Sequence, residues 1–382
     1  MKNTRTISIV LGLILVTAFL GAQSWSTLKR LTWNSGDSNN PFLVIASTSN
    51  FYLVWNDDLT GNMEIYYKKS TNGGTNWGSP LRLTWNSGYS NTPRLCLSPN
   101  GNLHVVWFDD TSGADEIYYK RSVNGGASWS TPVRLTWNTS NSRRPWIVSD
   151  SNNNLFIFWY DSVAFHSDIY YKKSTNNGVN WSTLNRFTWT ATQNTHPVAA
   201  VNSSNHIHVA WFDGGTVKEI YHKSSADGGS SWSTTHRLTW NTGKTYSPAL
   251  AVDSNDNLHI VYDDDTVGNP EVYYKKSTDN GNTWTAPSRL TWTSKISRLQ
   301  TISVDSNGDL HIVWGESTIS GYDLYYKNSM NSGTSWSTPE RLTWNDGWSV
   351  DPFLASGSAG AVHLVWSDDF GYRGEIYYRK RD

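Results

Sequence analysis

The tetrapeptide Arg-Leu-Thr-Trp recurs along the whole chain, once as Arg-Phe-Thr-Trp at Arg186, and sets tryptophan at positions 33, 85, 137, 189, 240, 292 and 344. The intervals are 52, 52, 52, 51, 52 and 52 residues. So fixed a period demands one supersecondary unit stacked on copies of itself, because a unit of that size cannot bury its apolar faces alone. Each unit also repeats a Pro-x-Leu segment, a run like Asn-Leu-His-Val-Val-Trp, the run Glu-Ile-Tyr-Tyr-Lys-Lys-Ser, and a Gly-rich turn closed by tryptophan.

The second unit shows what each copy folds into. Residues 94–97, 103–107, 116–122 and 130–137 are β-branched or aromatic runs punctuated by Gly, Asn, Asp and Ser, without helical periodicity. Four short antiparallel strands follow. Ile117 and Tyr119 point one way and Tyr118 and Lys120 the other, so both faces carry bulk that must be covered. Sheets arranged radially about an axis cover each other on both faces, and a period near 50 residues belongs to propellers. Three positional classes hold 20 of the 22 tryptophans, beginning at Trp25, Trp33 and Trp55, with Tyr262 replacing one member of the third. They are expected to serve mainly as packing between blades.

The termini are cut out of phase with the sheet. The segment Ser24–Trp33 reads as a fourth strand lacking its first three, and the chain finishes on a third strand lacking its fourth. Joined, they complete one blade and leave no free seam. The expected fold is all-β: a seven-bladed β-propeller of four-stranded antiparallel blades, about 52 residues per repeat, closed by the N-terminal strand. Its innermost strands hold small residues at equivalent positions, among them Val44, Cys96, Ala200 and Ala251, as a crowded axis requires. Cys96, the only cysteine, is then a small packed residue, and a disulfide framework or cysteine-rich zinc site is excluded.

Six hairpin turns obey one rule, Ser-x-(Asp/Asn)-x-Gly-x-x-Trp, beginning at Ser70, Ser122, Ser174, Ser225, Ser277 and Ser329. Asp or Asn ties backbone amides, Gly takes an unusual dihedral and Trp anchors the hairpin. The pattern closely resembles the Asp-box, or BNR repeat, of sialidase-like propellers. That resemblance spans residues 23–382 and implies fold more than activity, since Asp-boxes in that family lie away from the active face.

Ahead of the repeats, Lys2 and Arg5 precede an apolar run from Ile7 to Leu20, with Gly21 and Ala22 after it. Residues 1–22 read as a secretory signal peptide and residues 23–382 as a single propeller domain that is secreted, extracellular or periplasmic, with no membrane span in the mature chain. With 31 basic against 32 acidic side chains and no basic run, the chain lacks the footprint of a nucleic-acid binder.

A site is unique within a chain, whereas scaffold in a repeat protein recurs in each unit. That filter assigns the sevenfold arginines (Arg82 and its equivalents) and the two sevenfold acids (Asp57 and Glu64 and theirs) to scaffold, although acid beside tryptophan around a rim is also how a multivalent sugar binder is built. His104, His208, His259, His311 and His363 occupy one strand position in different blades, so they cannot converge on a metal and are expected to pack with a hydrogen bond. The segments at Asp253 and Asp305 sit where hairpin turns are needed and lack the glycine of an EF-hand loop. No metal and no cofactor is expected.

Variation concentrates in the loop leading from each Arg-Leu-Thr-Trp to the innermost strand, on the face opposite the Asp-boxes. The candidate ligand-binding residues there are Tyr89, Arg143, Arg144, Trp146, Tyr246, Arg298 and Trp348, aromatic platforms mixed with hydrogen-bonding groups. The sialidase resemblance implies six blades, three arginines, a Tyr activated by Glu and an Asp acid/base. Here Arg94, Arg144 and Arg298 are the available arginines, the family's early Arg-Ile-Pro motif has no counterpart, and no Tyr/Glu pair stands out. Seven blades also resemble the paired propellers of xyloglucan-degrading enzymes and secreted sugar-binding propellers. The expected partner is a glycan or cell-surface carbohydrate bound without chemistry. An exo-α-sialidase or other glycoside hydrolase is the alternative, and a protein-interaction scaffold the third.

Overall fold

The computed structural model describes residues 24–382 apart from 164–165, 216, 345, 358–359 and 370–372; residues 1–22, expected above to be a signal peptide, lie outside the described residues. Seven four-stranded antiparallel sheets form a closed ring. Blade one runs outward from the axis as Ser38–Ile45, Phe51–Asp57, Glu64–Ser70 and Leu81–Arg82, and the other blades repeat it. In blade seven the outer strand is Lys29–Arg30, paired with Glu375–Arg381 in the register Lys29↔Tyr378 and Arg30↔Tyr377. The two ends of the chain therefore share one sheet, as their phase predicts. Among the described residues no helix is long and apolar enough to cross a membrane.

The core lies between blades. Val54 and Tyr67 of blade one pack with Leu95, Val105 and Trp107 of blade two, and the same pairing recurs round the ring. The second-strand tryptophans are buried, and several indoles donate to the acid two residues on, as Trp159 Nε1 does to Asp161 at 2.8 Å. Asp57 also accepts from the Ser38 hydroxyl at 2.6 Å and the Asn34 amide at 2.7 Å, while Glu64 accepts from Arg82 at 2.6 Å and from the Asn86 backbone at 3.2 Å. Buried carboxylates met by this many donors are staples, which is the scaffold role their repetition implies. Four of the five equivalent histidines meet a tyrosine hydroxyl, His104 that of Tyr119 at 2.7 Å, and His208 instead meets His222. Burial pushes the Cys96 thiol up to about 12, so it stays protonated and inert.

The Asp-boxes do more than close hairpins. Gly178 sits at φ 77°, and a Cβ there would fall 1.8 Å from the Tyr119 hydroxyl of the preceding blade. Each box is thus a notch into which the neighbouring blade inserts a third-strand side chain. Gly178→Ala is expected to cost about 3 kcal/mol or more, combining left-handed strain of about 1–2 kcal/mol with displacement of a buried ring. Urea denaturation at neutral pH measures it; a cost below 1 kcal/mol would contradict the notch.

One expectation fails. The class beginning at Trp33 is not interblade packing, because all seven of its indoles are 64–75% exposed. Their neighbours explain why. The leucine (or Phe187) and threonine before each tryptophan both turn inward, the threonine hydroxyl accepting from the third strand as Thr84 does from Ile65 N at 2.8 Å. The following side chain is left on the surface, held by cations: the Arg82 guanidinium lies 5.9 Å from the Trp85 ring centroid and the Lys120 ammonium of the next blade 5.3 Å.

Candidate functional site

The innermost strand of every blade is interrupted at the same place. In blade one Ser38 and Asn39 pair with Asp57 and Asn56, pairing resumes at Phe42↔Val54, and Asn40 with Pro41 stands opposite Trp55 alone. This is a β-bulge. Its first residue is left-handed in all seven blades: Asn40, Thr92, Arg144, His196, Ser247, Leu299 and Asp351 have φ between 48° and 60°. Glycine would adopt that conformation freely, yet none of the seven is glycine, at a cost of about 1–2 kcal/mol each for most side chains. Strain retained at equivalent positions marks them as places where a side chain is wanted.

All but Thr92 line an axial cavity of about 190 Å³, together with the residues that follow them on the innermost strands. Phe42, Trp146 and Phe353 close the channel, with Phe42 and Phe353 ring centroids 3.9 Å apart and Trp146 donating to the Ala199 carbonyl at 2.8 Å. Arg94 lies between aromatic faces, 5.3 Å from the Phe42 centroid and 5.4 Å from that of Trp146. Its Nη1 donates to the Pro93 carbonyl at 2.9 Å and its buried Nε has no protein partner. Burial pulls the Arg94 guanidinium down to about 10, with Arg144 adding repulsion and Asp351 opposing it, so the group stays charged at neutral pH. Burial raises the Asp351 carboxyl while Arg94 and Arg144 pull it back. His196 is pushed down to about 3 by burial, then by Arg144, and is neutral; it stacks on Phe212 at 4.8 Å and presents a buried Nδ1 with no protein partner.

The seven sequence candidates divide by radius. Arg144 and Trp146 line the axial cavity. Arg143 turns to the preceding blade and pairs with Asp115. Tyr246 and Arg298 lie further along the same face: Arg298 is 5.2 Å from the Tyr246 centroid and 3.2 Å from Asp263, and Lys218 is 4.4 Å from the same ring. Tyr89 and Trp348 are on the outer surface, 56% and 50% exposed, the latter tilted against Tyr322 at 5.4 Å. Of the three available arginines, two reach the cavity and the third is engaged by Asp263.

Four lining groups lay outside the candidate set: Arg94, His196, Gln300 and Asp351. Gln300 stands where the other blades have proline, and its amide donates to Asp263 at 3.3 Å and to the Ser247 carbonyl. Asp263 is a buried carboxylate at a second-strand position that holds Asn, Phe, Tyr, Gly or Ser in the other blades, and burial raises it to about 6. Asp351 is the one carboxylate among the described lining residues, and among the described residues no tyrosine hydroxyl hydrogen-bonds a glutamate.

Comparison with known proteins gives the same architecture. A model described as BNR repeat-containing family member matches residues 89–237. Over that stretch the chain is similar to the BNR-repeat family, and its fold is that of a seven-bladed β-propeller. The propeller superposes on a polysaccharide lyase, an ulvan lyase bound to a GlcA–Rha3S disaccharide unit, with a TM-score of 0.67, 13% identity and coverage of 92% of this chain and 95% of that one. It superposes on a protein of unknown function from Dyadobacter fermentans with a TM-score of 0.60, 11% identity and coverage of 78% and 96%. The intramolecular trans-sialidase from Ruminococcus gnavus aligns with a TM-score of 0.51, 12% identity and coverage of 92% and 97%. No curated protein sequence matches the propeller.

Proposed function

We propose that the propeller is a secreted carbohydrate-binding protein whose axial face holds one acidic sugar residue without transforming it. The observation that carries this reading is the left-handed ring, which brings Arg144, His196 and Asp351 to the one cavity that Trp146 and Arg94 also line. An aromatic floor takes the C–H face of a pyranose, and a guanidinium pair takes a carboxylate or sulfate. A volume of 190 Å³ equals about six waters of liquid, below the usual 300–1,000 Å³ of larger ligand sites, and suits one ring. The structural neighbours named above include a lyase and a trans-sialidase, both acting on acidic glycans, which favours the same substrate class.

Binding without chemistry is supported by the carboxylate count. A retaining glycosidase of the two-carboxylate kind needs its carboxyl groups about 5–5.5 Å apart, and among the described residues the cavity lining has Asp351 alone. Secretion rests on the apolar run after Lys2 and Arg5. Calorimetry with the methyl glycosides of glucuronic acid and sialic acid is expected to show one-to-one binding by at least one of them, weakened tenfold or more by Arg144→Ala. Fluorogenic sialosides and glucuronides are expected to release no fluorophore. Turnover of either, or binding untouched by Arg144→Ala, would overturn the reading.

A further inference from the structure

We propose that the seven exposed tryptophans of the Arg-Leu-Thr-Trp series form a second and multivalent set of glycan sites, distinct from the axial cavity. The cleft between blades six and seven has a volume of 320 Å³ and is lined by Leu28, Trp344, Trp366, Asp368, Tyr377 and Arg379. That size lies within the ordinary range for a small-ligand site, and the exposed Trp344 indole stands with the Tyr377 ring and the Arg379 guanidinium, aromatic faces beside a hydrogen-bond donor, as a polyhydroxylated ring requires. The repeat supplies the same residue types elsewhere: Lys120 of the next blade lies 5.3 Å from the Trp85 ring, and Tyr118 holds the position of Tyr377.

Two features separate these indoles from stray surface hydrophobics. Each is steadied before any ligand arrives by at least one cation, and Trp85, Trp137, Trp240 and Trp292 by cations from two blades: Lys120, itself buried, donates to the Leu83 carbonyl at 2.5 Å while lying 5.3 Å from the Trp85 ring, and Arg82 lies 5.9 Å from it. A platform already immobilised loses little freedom on stacking. The indoles also stand one per blade, separated by polar loops, and so do not merge into the continuous apolar patch that a protein partner would bury. A glycan chain, or a surface dense in glycans, meets separated platforms in turn, and simultaneous engagement raises weak single-site affinity by 10²–10⁴.

A printed array of multivalent pyranose glycans tests this directly. The wild-type protein is expected to bind at least one glycan class, with the signal falling tenfold or more in the triple variant Trp85→Ala/Trp137→Ala/Trp240→Ala and surviving in Arg144→Ala. In the wild-type protein, the best glycan conjugate is expected to protect the seven exposed tryptophans from N-bromosuccinimide oxidation mapped by peptide mass, a readout that needs no variant to fold. No array signal, a signal unchanged in the folded triple variant, a signal abolished by Arg144→Ala alone, or oxidation unaltered by the conjugate would each overturn the proposal.

Discussion

A chain beginning at residue 34 is expected to lose most of the stability of one beginning at residue 24. The ten residues removed contribute Trp25, which is buried and edge-on to Tyr326 at 5.2 Å, the buried Leu31, and the Arg30 and Thr32 side chains that meet the Glu375 carboxylate. Losing the buried indole and the leucine costs about 3 kcal/mol each or more. Leaving Glu375 without its partners adds about 3–5 kcal/mol. Together these approach about 10 kcal/mol, which is the order of the whole stability of a typical domain. Denaturant unfolding monitored by circular dichroism decides the matter; a truncated chain melting within 3 °C of the longer one would show that the ring does not depend on its borrowed strand.

The second large effect is acid lability. Burial, their first and largest cause, holds His104 and His196 at about 3 and His208 and His363 at about 4, and pushes His222 and His259 down as well. Each is neutral in the folded protein and protonates near 6.5 once unfolded, so the unfolded state binds more protons as pH falls below 6.5. Their contribution is fully present above pH 6.5 and drains away toward pH 4. Asp161 and Asp263, raised to about 6 by burial, act in the opposite sense, gaining protons in the folded state over the same interval. At pH 4.5 the four histidines with assigned values cost about 2.5 kcal/mol each, against about 4 kcal/mol returned by the two carboxyls. The net loss is about 6 kcal/mol, and His222 and His259 deepen it. Urea midpoints measured from pH 7.5 to 4.5 are expected to fall steadily below 6.5, and His104→Phe, the residue type that blade three uses at Phe156, should flatten the slope by about one proton. A pH-independent midpoint across that range would refute the buried-neutral assignment.

The period exposed the blades, and the out-of-phase termini exposed the closure, because both are matters of register that a repeat writes openly. The filter separating repeated from unrepeated residues also worked where repetition meant scaffold, as the buried, donor-bound carboxylates at Asp57 and Glu64 demonstrate. It fell short in two ways. Three variable series run through the same loop, and only the one containing Arg144, His196 and Asp351 reaches the axis; the bulge that selects it is a backbone event, with no residue type in common among the seven positions. Asp263 stood hidden in a run of three aspartates, where only its partners from the next blade, Gln300 and Arg298, distinguish it from the aspartates beside it. The exposed tryptophans were misread for the same reason. Frequency suggested core, but whether the side chain after Leu-Thr turns in or out depends on where the outer strand ends.

The bulge has a consequence for how such a protein changes over time. At each of its seven sites the backbone path is set by the neighbouring strand pairing and, in six, by a following proline, and at all but Thr92 the residue lines the axial cavity without forming a ladder pair. Asparagine, threonine, arginine, histidine, serine, leucine and aspartate all occupy it in a single molecule. Such a position behaves like a socket: its occupant can be exchanged one blade at a time, and ligand preference can drift through many combinations while the wheel that carries it stays the same.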